Sequence, residues 1–193
     1  SLVFSTEITT GFNGNSIDEM RGQIELAQSA VRLGTKRYTI DDILLEVTGP
    51  SYNREVSLFS DIADASLIGE FKLSQLPDAV LHVVNSFIPS YTKIQTNYKI
   101  QDQAQQFTYS INLKQTELLS DLFVPSIRVP KPAIISGEFS DVRNLIKLDA
   151  SLPVLDIEGL EFQGFTANAE TNGSRLDLVA KTRRLMVDDS VNI

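Results

Sequence analysis

The residues of this 193-residue chain that could take part in catalysis are few, and they are not spaced as catalytic sets. His82 is the single histidine, and no serine or carboxylate is placed by the sequence to act with it. The chain has no cysteine, which excludes disulfides, thiolate-bound zinc, iron–sulfur clusters and a thiol nucleophile. We therefore predict a protein that is not an enzyme, with no catalytic residues, no metal and no cofactor.

Acidic residues occur as the doublets Asp41-Asp42 and Asp188-Asp189, with Asp61 and Asp64 near the first doublet in the chain. Paired carboxylates can hydrolyse glycosides or bind a hard cation. Here they fall at the predicted ends of strands and in turns, where aspartate is favoured by local hydrogen bonds, and no calcium-loop pattern is present. We interpret them as solvated turn residues.

Two further motifs have simple structural interpretations. Gly11 and Gly14 lack the third glycine and the Lys-Ser/Thr pair of a phosphate loop, so they predict a hairpin loop. Lys181, Arg183 and Arg184 form the main basic cluster. They could contact an anionic headgroup, but basic residues also protect the edge of a sheet from unwanted pairing, and we favour that interpretation.

Composition limits the partners. The chain has 25 acidic and 17 basic residues, a net charge of −8, so a nucleic-acid partner is not expected. The longest apolar stretch, residues 79–84, is far shorter than the ~20 residues of a membrane-spanning helix. Residues 1–4 do not resemble a signal peptide, and the alternating pattern is still running at residue 193. We expect the chain to be a segment of a larger protein.

Alternation of apolar and polar residues is the dominant pattern and predicts a mainly β fold of half-buried antiparallel strands. Asn172-Gly173 predicts a two-residue hairpin turn between strands at 166–171 and 174–181. Residues 76–88 have helical spacing, with Pro77 in the first turn and Pro89 beyond the end. A shorter helical turn is expected at 116–122. The sequence thus predicts a meander of strands interrupted by one main helix.

The Gln-rich, weakly patterned residues 92–106 divide the chain into two similar halves. We predict a first β unit over residues 1–91, ending in the amphipathic helix, a connector over 92–106 and a second β unit over 107–193. Residues 36–71 and 152–191 each contain a strand, an acidic turn and a longer hairpin, which is typical of stacked β elements.

The apolar side chains of the predicted strands fall on one face. The candidates for this face are Ile24, Leu26, Tyr38, Ile40, Leu45, Leu58, Phe71, Phe107, Tyr109, Ile111, Phe139, Leu148, Leu160, Phe162, Phe165, Leu176 and Leu178. Two interpretations are open from the residues alone. The face is either the closed, dry core of a sandwich or barrel, or the lining of a curved sheet that stays partly open and receives acyl chains.

Four stretches resemble a known family. They are NSIDEMRGQIELAQ (15–28), YTIDDILLEV (38–47), REVSLFSDIADASLIGEFKLSQLPDAVLHVVNSFIPSY (54–91) and FTYSINLKQTELLSDLFVPSIRVPKPAIISGEFS (107–140). Their order and patterns are similar to the repeat region of TamB-like proteins of the AsmA superfamily, in the large form found in Bacteroidota. The resemblance extends from about residue 5 to the end of the chain.

This resemblance implies an elongated, strongly curved, taco-like half-barrel with a hydrophobic groove, in which the apolar candidates line the interior. It implies a periplasmic segment of a protein anchored in the inner membrane and spanning the cell envelope. The expected function is phospholipid transport and outer-membrane biogenesis, with phospholipid acyl chains as partners and outer-membrane β-barrel proteins as possible partners. The helix at 76–88 and the proline-rich residues 125–132 interrupt a plain groove. Whether that helix plugs the groove, caps it or packs outside is open from the sequence.

Two other classes of function remain open. Exposed strand edges could recruit strands of outer-membrane proteins, which would make the chain an assembly module. A closed β domain could serve as an adhesin or carbohydrate-binding module, although the absence of tryptophan does not favour it.

Overall fold

The computed structural model describes residues 2–87, 104–123, 125–172 and 174–187. In these residues, twelve strands form one open, curled antiparallel sheet, with the main order β1-β2-β3-β4-β5-β6-β8-β9-β10-β11. Short strands β7 and β12 lie off this path and pair with β9 and β10, respectively. The predicted mainly β fold with a curved sheet and one main helix is confirmed.

The strands that precede the main helix are long and follow one another as hairpins. They are β1 (Leu2–Asn13), β2 (Arg21–Leu33), β3 (Lys36–Thr48), β4 (Arg54–Ser60) and β5 (Ala63–Glu70). The strands that follow it are β6 (Gln106–Leu113), β7 (Ile127–Arg128), β8 (Ala133–Ser140), β9 (Leu145–Ile157), β10 (Leu160–Asn172), β11 (Arg175–Lys181) and β12 (Arg184–Val187).

The strand register aligns the apolar residues into continuous rows because directly paired residues point to the same face of a sheet. We call the face that carries these rows the inner face. One row, the central row, crosses ten strands through Thr10, Ile24, Leu45, Leu58, Ala65, Ile111, Ile135, Ala150, Ala167 and Ala180. A parallel row contains Phe12, Gly22, Val47, Val56, Leu67, Tyr109, Gly137, Leu148, Ala169 and Leu178.

Local irregularities keep the apolar residues on the inner face of the longest strands. Gln28 in β2 has a left-handed φ of 51°, and the register between β1 and β2 shifts at this point. Gly164 in β10 has a φ of 61°, and Arg183 packs where a Cβ of residue 164 would lie. Such bulges add a residue and change which alternate residues face inward. Phe162 and Phe165, three residues apart, therefore share the inner face, with ring centroids 6.2 Å apart.

The main helix, α1 (Leu76–Phe87), follows a short 3-10 turn at Leu73–Gln75 and packs on one end of the inner face. Ala79 and Val83 are fully buried against Phe71, Phe107 and Phe139. The rings of Phe107 and Phe139 stack with centroids 5.0 Å apart, and Phe71 meets Phe107 edge-on at 5.7 Å. The helix thus lies within the curl of the sheet, which answers the question that the sequence leaves open.

A second, shorter helix, α2 (Glu117–Phe123), packs on the other end of the inner face. Leu118 is buried with Val31 and Ile40, and Leu122 packs beside them. A third apolar cluster, without a helix, groups Ala133, Leu152 and Leu155 with Phe162 and Phe165 near β9 and β10.

The remaining sequence predictions can be placed on this fold. The predicted helix at 76–88 corresponds to α1, with Ile88 outside the described residues, and the turn at 116–122 is α2. The predicted hairpin joins β10 to β11, but Asn172 pairs with Arg175 and so belongs to β10 rather than to the turn, and residue 173 lies outside the described residues. The predicted units 1–91 and 107–193 contribute to a single sheet because β5 pairs with β6. Most of the connector at 92–106 lies outside the described residues.

Candidate functional site

The inner face of the sheet is the candidate site. On the strands, the register places only two charged side chains on this face, Lys36 and Arg54, and they lie toward its opposite ends. The central row between them is apolar from Ile24 to Ala180. A surface with this composition can bind hydrocarbon but offers little to a polar ligand.

All seventeen apolar candidates lie on or against the inner face, but they differ in exposure. Four are buried: Ile40, Phe71, Phe107 and Phe139. Twelve are half-buried: Ile24, Leu26, Tyr38, Leu45, Leu58, Tyr109, Ile111, Leu148, Leu160, Phe162, Phe165 and Leu176. Leu178, on β11, is 66% exposed. The inner face is therefore fully buried in some places and only partly buried in others.

The buried candidates lie beneath the helices, whereas several of the half-buried ones pack against neither helix. Phe71, Phe107 and Phe139 form a dry core with α1, and Ile40 does so with α2. Leu45, Leu58 and Ile111, in the central row, belong to none of the buried clusters. These three large apolar side chains point into the curl of the sheet and are only partly buried there.

Arg54 lies buried at the α1 end of the inner face. Its side chain is 1% exposed, and its Nη2 donates to the backbone carbonyl O of Asp18. Nε and Nη1 have no hydrogen-bond partner among the described residues. Burial lowers the pKa of Arg54, partly offset by the negative charge of Asp18. The guanidinium is buried, and its bond to the Asp18 carbonyl links β4 to the β1–β2 loop.

Asp18 connects the β1–β2 loop to the helical segment. Its Oδ1 accepts from the backbone N–H of Ser74 at 2.9 Å, and its Oδ2 accepts from Ser74 Oγ at 2.6 Å. Burial opposes the charge on Asp18, but the hydrogen bonds from Ser74 and the charge of Arg54 outweigh it and lower the pKa of the carboxyl. The loop therefore holds the start of the helical segment against the sheet.

Asp121 forms the corresponding connection at the α2 end. Lys36 Nζ lies 2.6 Å from Asp121 Oδ2, Tyr38 Oη donates to the same oxygen, and Arg128 Nη2 lies 3.3 Å from Oδ1. The bonds from Lys36 and Tyr38 lower the pKa of Asp121, and the same bonds raise the pKa values of Lys36 and Tyr38. We call these four residues the Asp121 cluster; they attach α2 to β3.

A cleft of about 570 Å³ lies beside the Asp121 cluster. Its lining includes the apolar residues Ile40, Ile62, Leu118 and Val129, together with polar residues of the 114–117 segment. The size is within the range of small-molecule sites. Two cations of the lining are in ion pairs, Arg128 with Asp121 and Lys114 with Asp64, and Arg37 also lines the cleft.

The other sequence candidates do not assemble into a site. Asp61 accepts a hydrogen bond from the backbone N–H of Asp41 at 2.8 Å, and Asp64 pairs with Lys114, as expected for turn and edge residues. His82 lies half-buried on α1. Gly11 belongs to β1, so the predicted hairpin loop begins only at Gly14, and Asp188-Asp189 lies outside the described residues.

Across the described ranges, no three metal-binding side chains gather, and neither helix has the length and hydrophobicity needed to cross a membrane.

Sequence reasoning missed the Asp121 cluster and the Asp18–Ser74–Arg54 connection. In the sequence, Asp18 is 56 residues from Ser74 and 36 residues from Arg54, and Lys36 is 85 residues from Asp121. Only the pairing of distant strands brings them together, so no local pattern could have revealed them.

Comparison of the chain with protein-family models, with curated proteins and with solved structures gives no match.

Proposed function

We propose that the inner face is a hydrophobic groove that holds lipid acyl chains. The observation that carries this proposal is the central row, in which Leu45, Leu58 and Ile111 point into the curl and remain only partly buried. A continuous apolar surface that the fold does not fully bury marks a binding site for apolar groups.

The groove would bind by partition rather than by specific polar contacts. Each methylene that leaves water contributes about 0.8 kcal/mol, so affinity should rise with acyl-chain length. Neighbouring positions along an apolar row have similar energies, which would allow a bound chain to slide. Headgroups would stay outside the central row, because its residues from Ile24 to Ala180 offer no side-chain hydrogen-bond donor or acceptor.

We further propose that the chain is part of a TamB-like, AsmA-superfamily envelope protein that acts in the periplasm. The curled sheet and its apolar inner face agree with what that resemblance implies. Phospholipid transport and outer-membrane biogenesis then become the function of the parent protein, and this segment supplies a length of its groove. The chain would carry lipid without catalysing a reaction on it.

Adjacent residues of β4 provide the test. Leu58 is half-buried in the central row, whereas Phe59 is 48% exposed on the opposite face. Leu58→Asp puts a charge into the groove, so we expect it to abolish co-purification of phospholipid and uptake of a pyrene-labelled phospholipid. Phe59→Asp makes the same kind of change outside the groove and should leave both unchanged.

A crosslinking experiment on the otherwise unchanged chain avoids any dependence on the stability of Leu58→Asp. A benzophenone side chain at Ile111 faces the groove, and one at Asn112 faces outward, since successive residues of a strand alternate. Phospholipid crosslinked at position 111 and not at 112 is the expected result. Equal labelling at both positions, or none at either, would disprove the groove.

A further inference from the structure

The two edges of the open sheet have complementary properties. Within the described residues, β1 pairs only with β2, and the segment formed by β11 and β12 pairs only with β10. β1 is 12 residues long, with Glu7 as its single charged residue and no lysine or proline to protect it. The opposite edge, residues 175–187, contains four basic residues and one acidic residue, Asp177.

Strand direction allows the two edges to join. Ten strands lie on the main path and every neighbouring pair is antiparallel, so β1 and β11 run in opposite directions. A second copy placed beside the first in the same orientation would therefore set its β1 antiparallel to β11. The inner faces of both copies would lie on the same side.

The irregularities of the two edges also match. β1 is regular and pairs with the bulged strand β2, so that Phe4 and Ile8 lie opposite Val31 and Leu26. The other edge is broken between Lys181 and Arg184, opposite Gly164 of β10. This edge is therefore a bulged strand of 13 residues. β2, the strand with which β1 pairs, is also bulged.

Both edges expose apolar side chains on the inner face. Phe4 and Ile8 of β1 are 52% and 63% exposed, and Leu178 and Leu185 at the other edge are 66% and 52% exposed. Joining the edges would bury these side chains and continue the apolar rows from one copy into the next. Glu7 would meet the basic side, where Lys181 and Arg184 share the outer face with it.

We infer that two copies of this curled sheet dock edge to edge, head to tail, with β1 of one copy pairing with β11 and β12 of the next. The interface is heterologous, because each copy uses a different edge, and it leaves one free edge of each type. This inference does not depend on the lipid proposal, since it is read from self-association without lipid.

Three matched variants test the interface, each replacing an exposed apolar residue by lysine in the full chain. Ile8→Lys blocks the β1 edge and Leu178→Lys blocks the β11 edge, while Ile134→Lys alters a residue of β8, which lies between β6 and β9. In sedimentation velocity, the unchanged chain and Ile134→Lys should associate as concentration rises. Each edge variant alone should stay monomeric.

Mixing the two edge variants distinguishes the geometry. Ile8→Lys retains a free β11–β12 edge and Leu178→Lys retains a free β1 edge, so together they should form a one-to-one dimer that grows no further. A monomeric unchanged chain at every concentration would overturn the inference. A β1–β1 dimer would also overturn it, because Leu178→Lys alone would then still dimerise. The same holds if neither edge binds a second copy but an added strand peptide from an outer-membrane protein binds there.

Discussion

Gly137 shows how closely single residues of the inner face are fitted. A Cβ at this position would collide with the carbonyl O of Lys147 and with the ring of Tyr109. The Tyr109 hydroxyl donates to the same carbonyl at 2.9 Å, so the ring covers the glycine and fixes the β8–β9 pairing. Burial raises the pKa of Tyr109, which keeps the hydroxyl protonated as a donor.

We therefore expect Gly137→Ala to lower the free energy of unfolding by roughly 1–3 kcal/mol, the usual cost of overpacking. Urea unfolding followed by circular dichroism measures it. Gly11→Ala is the control, because Gly11 lies on the edge strand with no atom near the position of an added Cβ. A Gly137→Ala variant as stable as Gly11→Ala would show that Tyr109 moves aside at little cost.

At this scale the sequence predicts the direction of side chains better than their exposure. The alternation of apolar and polar residues predicts that the side chains of Phe107 and Leu58 face inward, and both do. Yet Phe107 is buried and Leu58 half-buried, because α1 covers the first and no helix of the described chain covers the second. Gln105 is the converse case: it belongs to the Gln-rich stretch that predicts a connector, yet its side chain is fully buried and its backbone N–H donates to Asp141 Oδ1.

At the scale of elements, each helix is attached to the sheet by a carboxylate that bonds to a residue distant in the sequence. Asp18 binds Ser74 before α1, and Asp121 of α2 binds Lys36 and Tyr38 of β3. Helical spacing predicts both helices but not these attachments. The attachments depend on the curl, which brings the ends of the sheet toward the helices.

The Asp121 cluster should make the attachment of α2 sensitive to acid. The pKa of Asp121 in the folded chain lies below the ordinary value of 3.8, so its stabilising effect is complete above that value. The effect is lost as the pH falls through the lower folded-state pKa. We expect the unchanged chain to be more stable than Asp121→Asn at about pH 6, and this advantage to shrink toward about pH 2.

Urea unfolding of both chains across this pH range measures the difference. Asp177→Asn, a change of the same kind on exposed β11, is the control and should give no comparable pH-dependent difference. An advantage over Asp121→Asn that is independent of pH would mean that the carboxylate charge does not hold α2.

At the scale of the whole molecule, the described strands form one open series in which β1 and β11 do not pair with each other. Among the described residues, each strand forms its backbone pairing only with the strands that lie beside it in the sheet. The alternating sequence predicts the strands and hairpins of such a meander. It does not predict that β5 pairs with β6 across the residues 71–105, because the pairing of strands separated by a helix is set by the register of the whole sheet.

Stability should therefore fall from the middle of the sheet toward its edges. We expect backbone amides of β5, β6 and β8, supported by α1, to exchange most slowly with deuterium. Amides of β1, β11 and β12 should exchange through local openings of lower free energy. Native-state hydrogen exchange at increasing urea measures this gradient, and a single free energy of opening for all strands would contradict it.

The even number of strands on the main path also limits how such a sheet can change in length over evolution. Removing or inserting one strand reverses the direction of every strand beyond it. In the edge-to-edge dimer inferred above, β1 of one copy would then run parallel to β11 of the next. Removing or inserting a hairpin preserves the direction, the inner face and the fit of both edges. Related chains of this architecture should therefore differ by whole hairpins, and a gene that encodes one more unit would be expected to grow by two strands at a time.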